Sequence, residues 1–377
     1  MYSVHQHWDP LRVCAVGKSY PPEFYDYIKN SKVRDVFYQI AEETEEDYQK
    51  LIKLLKSFNV DIIRPDVSND PLDYLQYNSK ISPPPMTPRD YTAMIGSTFY
   101  MDLRQPDISW NQLAGANWPP CPQTKEEFNL LPAGVRLELQ KFEKDSYFFY
   151  MKDPWENLST LLKEENNQVL LNFKINSASC TRIGKDLYFG TESYTDNTVA
   201  LKEKYTNLFP NYRCHVINTG GHSDGTFCPV VPGLIISLHD VPTYKDTFPD
   251  WEVIYLPNQS WTAVESFLQV KEKNKGKWWV PGQELNDDFT NFVETWMTHW
   301  VGYVEETVFD VNMLVIDQKN VVCNNYNKTV FDAFARYGIT PHIVNFRHRY
   351  FWDGGLHCIT SDLHRVGEQQ DYFPERG

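Results

Sequence analysis

Nowhere does the chain hold an unbroken apolar run of about 18 residues, the length that a membrane-spanning helix needs. Positive charge is short too: 36 Lys and Arg stand against 50 Asp and Glu, a net −14 at pH 7. That balance speaks against nucleic acid as a partner, because phosphate binding wants a basic surface, and mildly favours small cations. Most of the acid reads as ordinary solvated helix face. Cysteine is sparse, with seven residues, an odd number, and no C-x-x-C pair. A reduced, cytoplasmic setting is expected rather than a disulfide framework. The N-terminal MYSVHQHWDPLRV has neither the basic region nor the apolar core of a secretory signal. No G-x-G-x-x-G follows a strand-like run, which disfavours a dinucleotide-binding sheet. No H-E-x-x-H or cysteine pair completes a metal shell, so neither metal nor organic cofactor is expected.

What is present is a globular composition, 41% hydrophobic and 15% aromatic, and enough length, 377 residues, for a large core. One layout recurs: an amphipathic helix ends, a turn follows, and a short β-branched strand runs to a loop. It is seen at KSFNVDIIRP (56–65), FPNYRCHVIN (209–218), FPDWEVIYLP (248–257) and RYGITPHIVNF (336–346). Strand-like runs (RVCAVG, YTAMIGSTFYM, DLYFG, GLIISL, NMLVID) precede the helices. Residues 33–58 set Val33, Phe37, Ile40, Tyr48, Leu51, Leu55 and Phe58 on one helical face, with Glu42, Glu43, Glu45 and Glu46 toward solvent. Asn286 reads as the N-cap of a helix with the stripe Phe289, Val293, Trp296 and Trp300. Asn327 reads as the cap of another helix, stopped by Gly338. About five small mixed α/β units are expected in one domain spanning 1–377, with an insertion at about 103–165.

Two glycine-flanked strings carry chemistry, GGHSDGTF at 220–227 and DGGLHC at 353–358, with TPRD at 87–90 as a third. A base, a carboxylate and a thiol on tight turns are the parts of nucleophilic attack on a planar cation. Modifying a guanidinium carbon needs carboxylates for its N–H fork, a thiolate for the carbon, and a proton shuttle for the leaving amine. Cys358 is the candidate thiol; Cys14, Cys180, Cys214, Cys228 and Cys323 lie in strand-like runs and read as structural, and Cys121 lies in a loop. His222 and Asp224, one residue apart, face the same way if the segment is extended. His357, next to the thiol, should point away from it on a strand, and is not assigned as the base. Asp90 follows a proline-rich lead-in that fixes the backbone before it.

Taken in order, TPRD, HSDGTFCPVVPGLIIS, FDVNMLVID and GGLHC resemble the amidinotransferases of the guanidino-modifying superfamily, the likeness running from residue 87 to the C-terminal region. The resemblance implies a pentein fold, a five-bladed pseudo-symmetric α/β propeller of ββαβ-type units. It implies an amidino group moved from a guanidino donor, by default L-arginine, to an acceptor amine through a covalent amidino-thioether on Cys358. His222 would be the general acid/base, and Asp90 and Asp224 would bind the guanidinium. A guanidino hydrolase of the deiminase or dihydrolase type is the alternative, and a weakened guanidinium-binding relative a third reading. The family's third catalytic carboxylate falls at Ser179, so another acid, Asp196 or Glu192, is the expected substitute if one exists. The arginine that binds the donor's carboxylate in glycine-specific members falls at Val241. Partners implied are small molecules, with a homodimer possible, and neither nucleic acid nor membrane.

Overall fold

The computed structural model describes residues 1–74, 81–101, 130, 154–171, 175–238, 244–256, 278–301 and 308–376. The described residues form an α/β protein of five three-stranded sheets, each with the same plan. A first strand pairs antiparallel with a second, a crossover helix follows, and a third strand returns parallel to the second. The units are β3 (Thr92–Ile95), β4 (Thr98–Met101) and β5 (Gln168–Leu171); then β6 (Cys180–Ile183), β7 (Asp186–Gly190) and β8 (Arg213–Ile217). They continue with β9 (Phe227–Val231), β10 (Leu234–Ser237) and β11 (Glu252–Tyr255), then β12 (Leu314–Asp317), β13 (Asn320–Cys323) and β14 (Thr340–Ile343). In the remaining unit β1 (Leu11–Val16) pairs parallel with β2 (Asp61–Ile63) and antiparallel with β15 (Thr360–Arg365), so the two ends of the chain close one sheet.

Burial explains which strand lies where. β3, β6 and β9 are buried at every residue, and β12 and β15 at all but one, whereas every third strand is half-buried or exposed along most of its length. The first strands are therefore innermost. Polar groups are trapped among them: Asp362 on β15 binds Arg182 on β6 through both oxygens (2.8 and 3.0 Å), and also Arg365 (2.8 Å) and Arg89 (3.0 Å). All four side chains are buried, and removing a single partner would strand a charge at a cost of about 3–5 kcal/mol.

The helix Ser31–Ser57 is capped by Asn30, whose side chain accepts from Lys32 N, and it buries the expected face, Val33 to Leu55, with Phe58 half-buried at its end. Glu42 and Glu46 face solvent as expected, Glu46 pairing there with Arg347 (2.6 Å), while Glu43 and Glu45 are half-buried against His348 (2.6 Å) and Arg64 (2.6 Å). Asn286 and Asn327 cap as expected, each accepting from the amide three residues on, and Gly338 ends its helix in the left-handed region at φ 68°. Trp296 departs from expectation: the helix Asp287–Trp296 stops there and leaves the ring 63% exposed, while Phe289, Val293 and Trp300 are buried.

Most of the insertion expected at 103–165, with Cys121, lies outside the described residues, as does Val241. The last part of that span holds the helix Glu156–Glu164, which is the β4–β5 crossover of the repeat rather than an addition to it. Among the described residues no helix is long and apolar enough to cross a membrane.

Candidate active site

The five loops that lead into the inner strands carry the chemistry. Thr87 and Pro88 start a one-turn 3-10 helix, Pro88–Asp90, that presents Asp90 just before β3. A second such turn, Ser223–Gly225, lies before β9, with His222 at its N-terminal edge and Asp224 inside it. The segment is therefore wound, not extended. His222 Nδ1 faces Asp90 Oδ1 at 3.6 Å, while Asp224 turns inward to the thiol.

Residues 356–359 form a turn ahead of β15, closed by Ile359 N donating to Gly355 O (3.0 Å) and Thr360 N to His357 O (3.2 Å). Because the chain turns here, strand alternation does not apply to His357 and Cys358, and both side chains reach Asp224. His357 Nδ1 lies 2.9 Å from Asp224 Oδ2, and the Cys358 thiol 3.5 Å from the same oxygen. Arg89 underpins the turn, its Nε donating to the carbonyls of His357 and Thr360, both at 2.8 Å.

Asn312, just before β12, is the residue that sequence reasoning missed. It is 1% exposed and sits under the nucleophile candidate. Its Nδ2 donates to Cys358 Sγ (3.0 Å), while its Oδ1 accepts from the amides of His357 (2.9 Å) and Cys358 (3.3 Å). Gly355 makes room for it, since a Cβ there would lie 2.5 Å from Asn312 Oδ1. In sequence Asn312 stands at the mouth of an apolar run and reads as the start of a strand. Its only signal is its place in the repeat.

Ser179 lies just before β6, half-buried, with its amide donating to Asn176 Oδ1 (2.8 Å) and its carbonyl accepting from Gly190 N (2.8 Å). Among the described residues its hydroxyl makes no hydrogen bond to His222. Asp196, one conceivable substitute acid, caps a local turn by accepting from Ser193 N (2.9 Å). Glu192, the other, is exposed and raises the His222 pKa by its charge. The five structural cysteines of the sequence reading are all buried and unpaired, and Cys358 alone of the six described is partly open.

The electrostatics follow from this crowding of acids. Burial pushes the Cys358 thiol well up, and the charges of Asp224 and Asp90 push it further, against the Asn312 hydrogen bond. Burial also lifts Asp90 to about 6, with Asp224 adding to the rise and His222 opposing it. Burial works against a charged His222, but Asp90, Asp224 and Asp353 together hold its pKa above the usual histidine value. Asp224 is pushed up by burial yet ends below the usual carboxylate range, because His357 and His222 both favour its charge. Burial and Arg89 press His357 down to about 4, so it is a neutral ring against an ionised Asp224. Asp224 Oδ1 and Asp90 Oδ1 are buried without a hydrogen-bond partner among the described residues. Two carboxylates with acceptor capacity to spare, beside a thiol, form a receptor for a planar donor with several N–H groups.

The chain is similar in sequence and in fold to proteins of known activity. No family model matches the chain. Glycine amidinotransferase of Gallus gallus, named as mitochondrial, is 27% identical over 202 residues, covering 52% of this chain. The matched stretch spans 40% of that relative's length. The Danio rerio enzyme of the same name aligns over 98% of the chain and 84% of its own length at 23% identity, and an L-arginine:L-lysine amidinotransferase of Pseudomonas savastanoi pv. phaseolicola is 22% identical over 55% of the chain and 49% of its own length. Among solved structures, the inosamine-phosphate amidinotransferase of Streptomyces griseus and an amidinotransferase of the saxitoxin biosynthetic pathway of Microseira wollei superpose with TM-scores of 0.62. Each is 16% identical and covers 99% of both chains, a likeness of fold.

Proposed function

We propose that this chain, as a member of the amidinotransferase family, moves an amidino group from a guanidino donor, L-arginine by default, to an acceptor amine. The observation that carries the reading is that Asp224 lies against Cys358 and Asp90 against His222, each carboxylate with a buried oxygen that accepts no hydrogen bond among the described residues. The guanidinium would lie across the two carboxylates, its carbon facing the sulfur. Bound there, the cation offsets the two negative charges that keep Cys358 protonated, so the thiol releases its proton to solvent as the substrate binds and the substrate itself helps generate the thiolate.

The reaction then has two halves. The thiolate attacks the guanidinium carbon, the bond from that carbon to the substituted nitrogen breaks, and His222 gives its proton to the departing amine, ornithine if arginine is the donor. An amidino group remains on sulfur as a thioether. An acceptor amine next loses a proton to His222 and attacks the same carbon, and the carbon–sulfur bond breaks to return the thiolate. Asn312 holds the sulfur and the two backbone amides beneath it through both halves. The single-domain organisation and the reduced, cytoplasmic setting expected from sequence belong to the same proposal.

The test is to incubate the protein with arginine, with and without candidate amines, and follow products by mass. Ornithine formed with a new guanidino compound only when an amine is present supports transfer. Citrulline or ammonia in amine-free buffer would replace it with hydrolysis. Intact protein should carry an amidino adduct that Cys358→Ala loses, and an adduct persisting in that variant would refute the nucleophile.

A further inference from the structure

His357 takes no part in the two half-reactions above, yet four of the five entry loops, its own included, meet at it. Arg89, from the loop before β3, donates through Nε to its carbonyl at 2.8 Å. Asn312, before β12, accepts from its amide at 2.9 Å. Asp224, before β9, lies against its ring, with Oδ2 2.9 Å from Nδ1. The residue is buried, and its ring is packed against that of His7, with the centroids 6.0 Å apart. Its backbone is thus pinned on both sides, in the turn that also carries Cys358. Asp224 is held from elsewhere by its main chain, the amide donating to Ala178 O at 3.0 Å. Its carboxylate is less fixed. Among the described residues Oδ2 accepts from His357 and from the thiol at 3.5 Å, while Oδ1 is buried and accepts nothing.

Resting on the transferase reading above, we propose that His357 is the positioning residue of Asp224: its Nδ1–H holds one carboxylate oxygen beside the sulfur and so turns the other toward the guanidinium. An ionised carboxylate only accepts, and a neutral imidazole carries a single N–H, so the proton of this pair belongs on Nδ1. Burial and the Arg89 charge keep the ring neutral. The thiol is the longer of the two donors and is lost when the thiolate forms. From that moment the sulfur and the carboxylate are like charges side by side, and repulsion would swing Asp224 out of register with the substrate. The His357 hydrogen bond opposes that swing, and because His357 and Cys358 share one turn, the nucleophile and the guanidinium-binding carboxylate keep a fixed spacing.

The experiment uses the full chain. With ring-nitrogen-labelled histidine near neutral pH, the His357 signal, identified by its loss in His357→Asn, should show the proton on Nδ1; a proton on Nε2 overturns the proposal. Asparagine offers an N–H as many bonds from the backbone as Nδ1, whereas phenylalanine keeps a ring and removes the donor. With arginine and an acceptor amine, His357→Phe should lose about thirtyfold in kcat/KM for arginine, and His357→Asn should stay within about threefold of wild type. A role in packing alone predicts the reverse order, since phenylalanine fills the space better. Equal losses, or that reverse order, overturn the proposal. The tautomer is read in the unmodified protein without turnover, so a chain that transfers nothing would sink the functional reading while the tautomer still decided whether His357 holds Asp224.

Discussion

Replacing Asp224 with asparagine should destroy amidino transfer and at the same time make Cys358 more reactive. The two effects have one cause. The Asp224 carboxylate oxygen lies 3.5 Å from the sulfur, and its pKa is held low, so it is ionised throughout the neutral range. Forming a thiolate beside it sets two unit charges together; at an effective dielectric of about 20 that costs about 4–5 kcal/mol, equivalent to about three pH units on the thiol. The cleft is open on the His222 side, where that ring is 46% exposed, and solvent there screens part of the effect. We take about one unit as the smallest drop in the thiol pKa consistent with the geometry. Asparagine keeps an oxygen that can accept from His357 Nδ1, so the turn should survive. The assay is the rate of iodoacetamide alkylation of the Cys358-containing peptide, followed by mass across pH. Asp224→Asn should be alkylated at least about tenfold faster than wild type near neutral pH while forming no transfer product. Equal or slower alkylation would refute the idea that this carboxylate keeps the empty site protonated, and with it the claim that the substrate cation generates its own nucleophile.

Three further outcomes test the supports. Asn312→Ala leaves the amides of His357 and Cys358 without their acceptor in a buried turn, and should cost about 3 kcal/mol in urea unfolding. Gly355→Ala sets a Cβ 2.5 Å from Asn312 Oδ1 and 2.7 Å from Phe309, whereas Gly354→Ala comes no nearer than 3.1 Å to any atom, the Thr87 methyl. Steady-state kinetics should therefore show the Gly355 variant as the poorer enzyme. His357 titrates near 4 in the native protein and near 6.5 when unfolded, so between those values the unfolded chain binds the extra proton and stability rises with pH. His357→Gln should remove about 1.4 kcal/mol per pH unit of that slope, leaving the contributions of His5, His7 and His348, whose pKa values are also lowered.

The residues legible in the sequence were those whose local chemistry is odd for a strand. Asp90, His222, Asp224 and Cys358 stand in glycine- or proline-marked turns, and the structure brings these turns together. Periodicity likewise gave the helices and their caps, because a buried face must repeat every three to four residues. It failed at Trp296, where the helix ends and the apolar stripe no longer has a neighbour to cover it. It fell short in a different way for Glu43 and Glu45, half-buried against His348 and Arg64, partners from other loops that no local pattern announces. His357 was set aside on the alternation of a strand, and the backbone there is a turn.

Asn312 shows how more of the site could have been read. Each of the five units presents a site residue within the few positions before its inner strand: Asp90 before β3, Ser179 before β6, Asp224 before β9, Asn312 before β12 and Cys358 before β15. The pattern has a physical origin. The inner strands lie at the buried edge of each sheet, opposite the half-exposed third strands, so the loops entering them from one end are the parts of each unit forced together. Chemistry that needs groups from several units can be assembled only there. Aligning the repeats by their inner strands would have marked FDVNML as the fifth contributor before any contact was known.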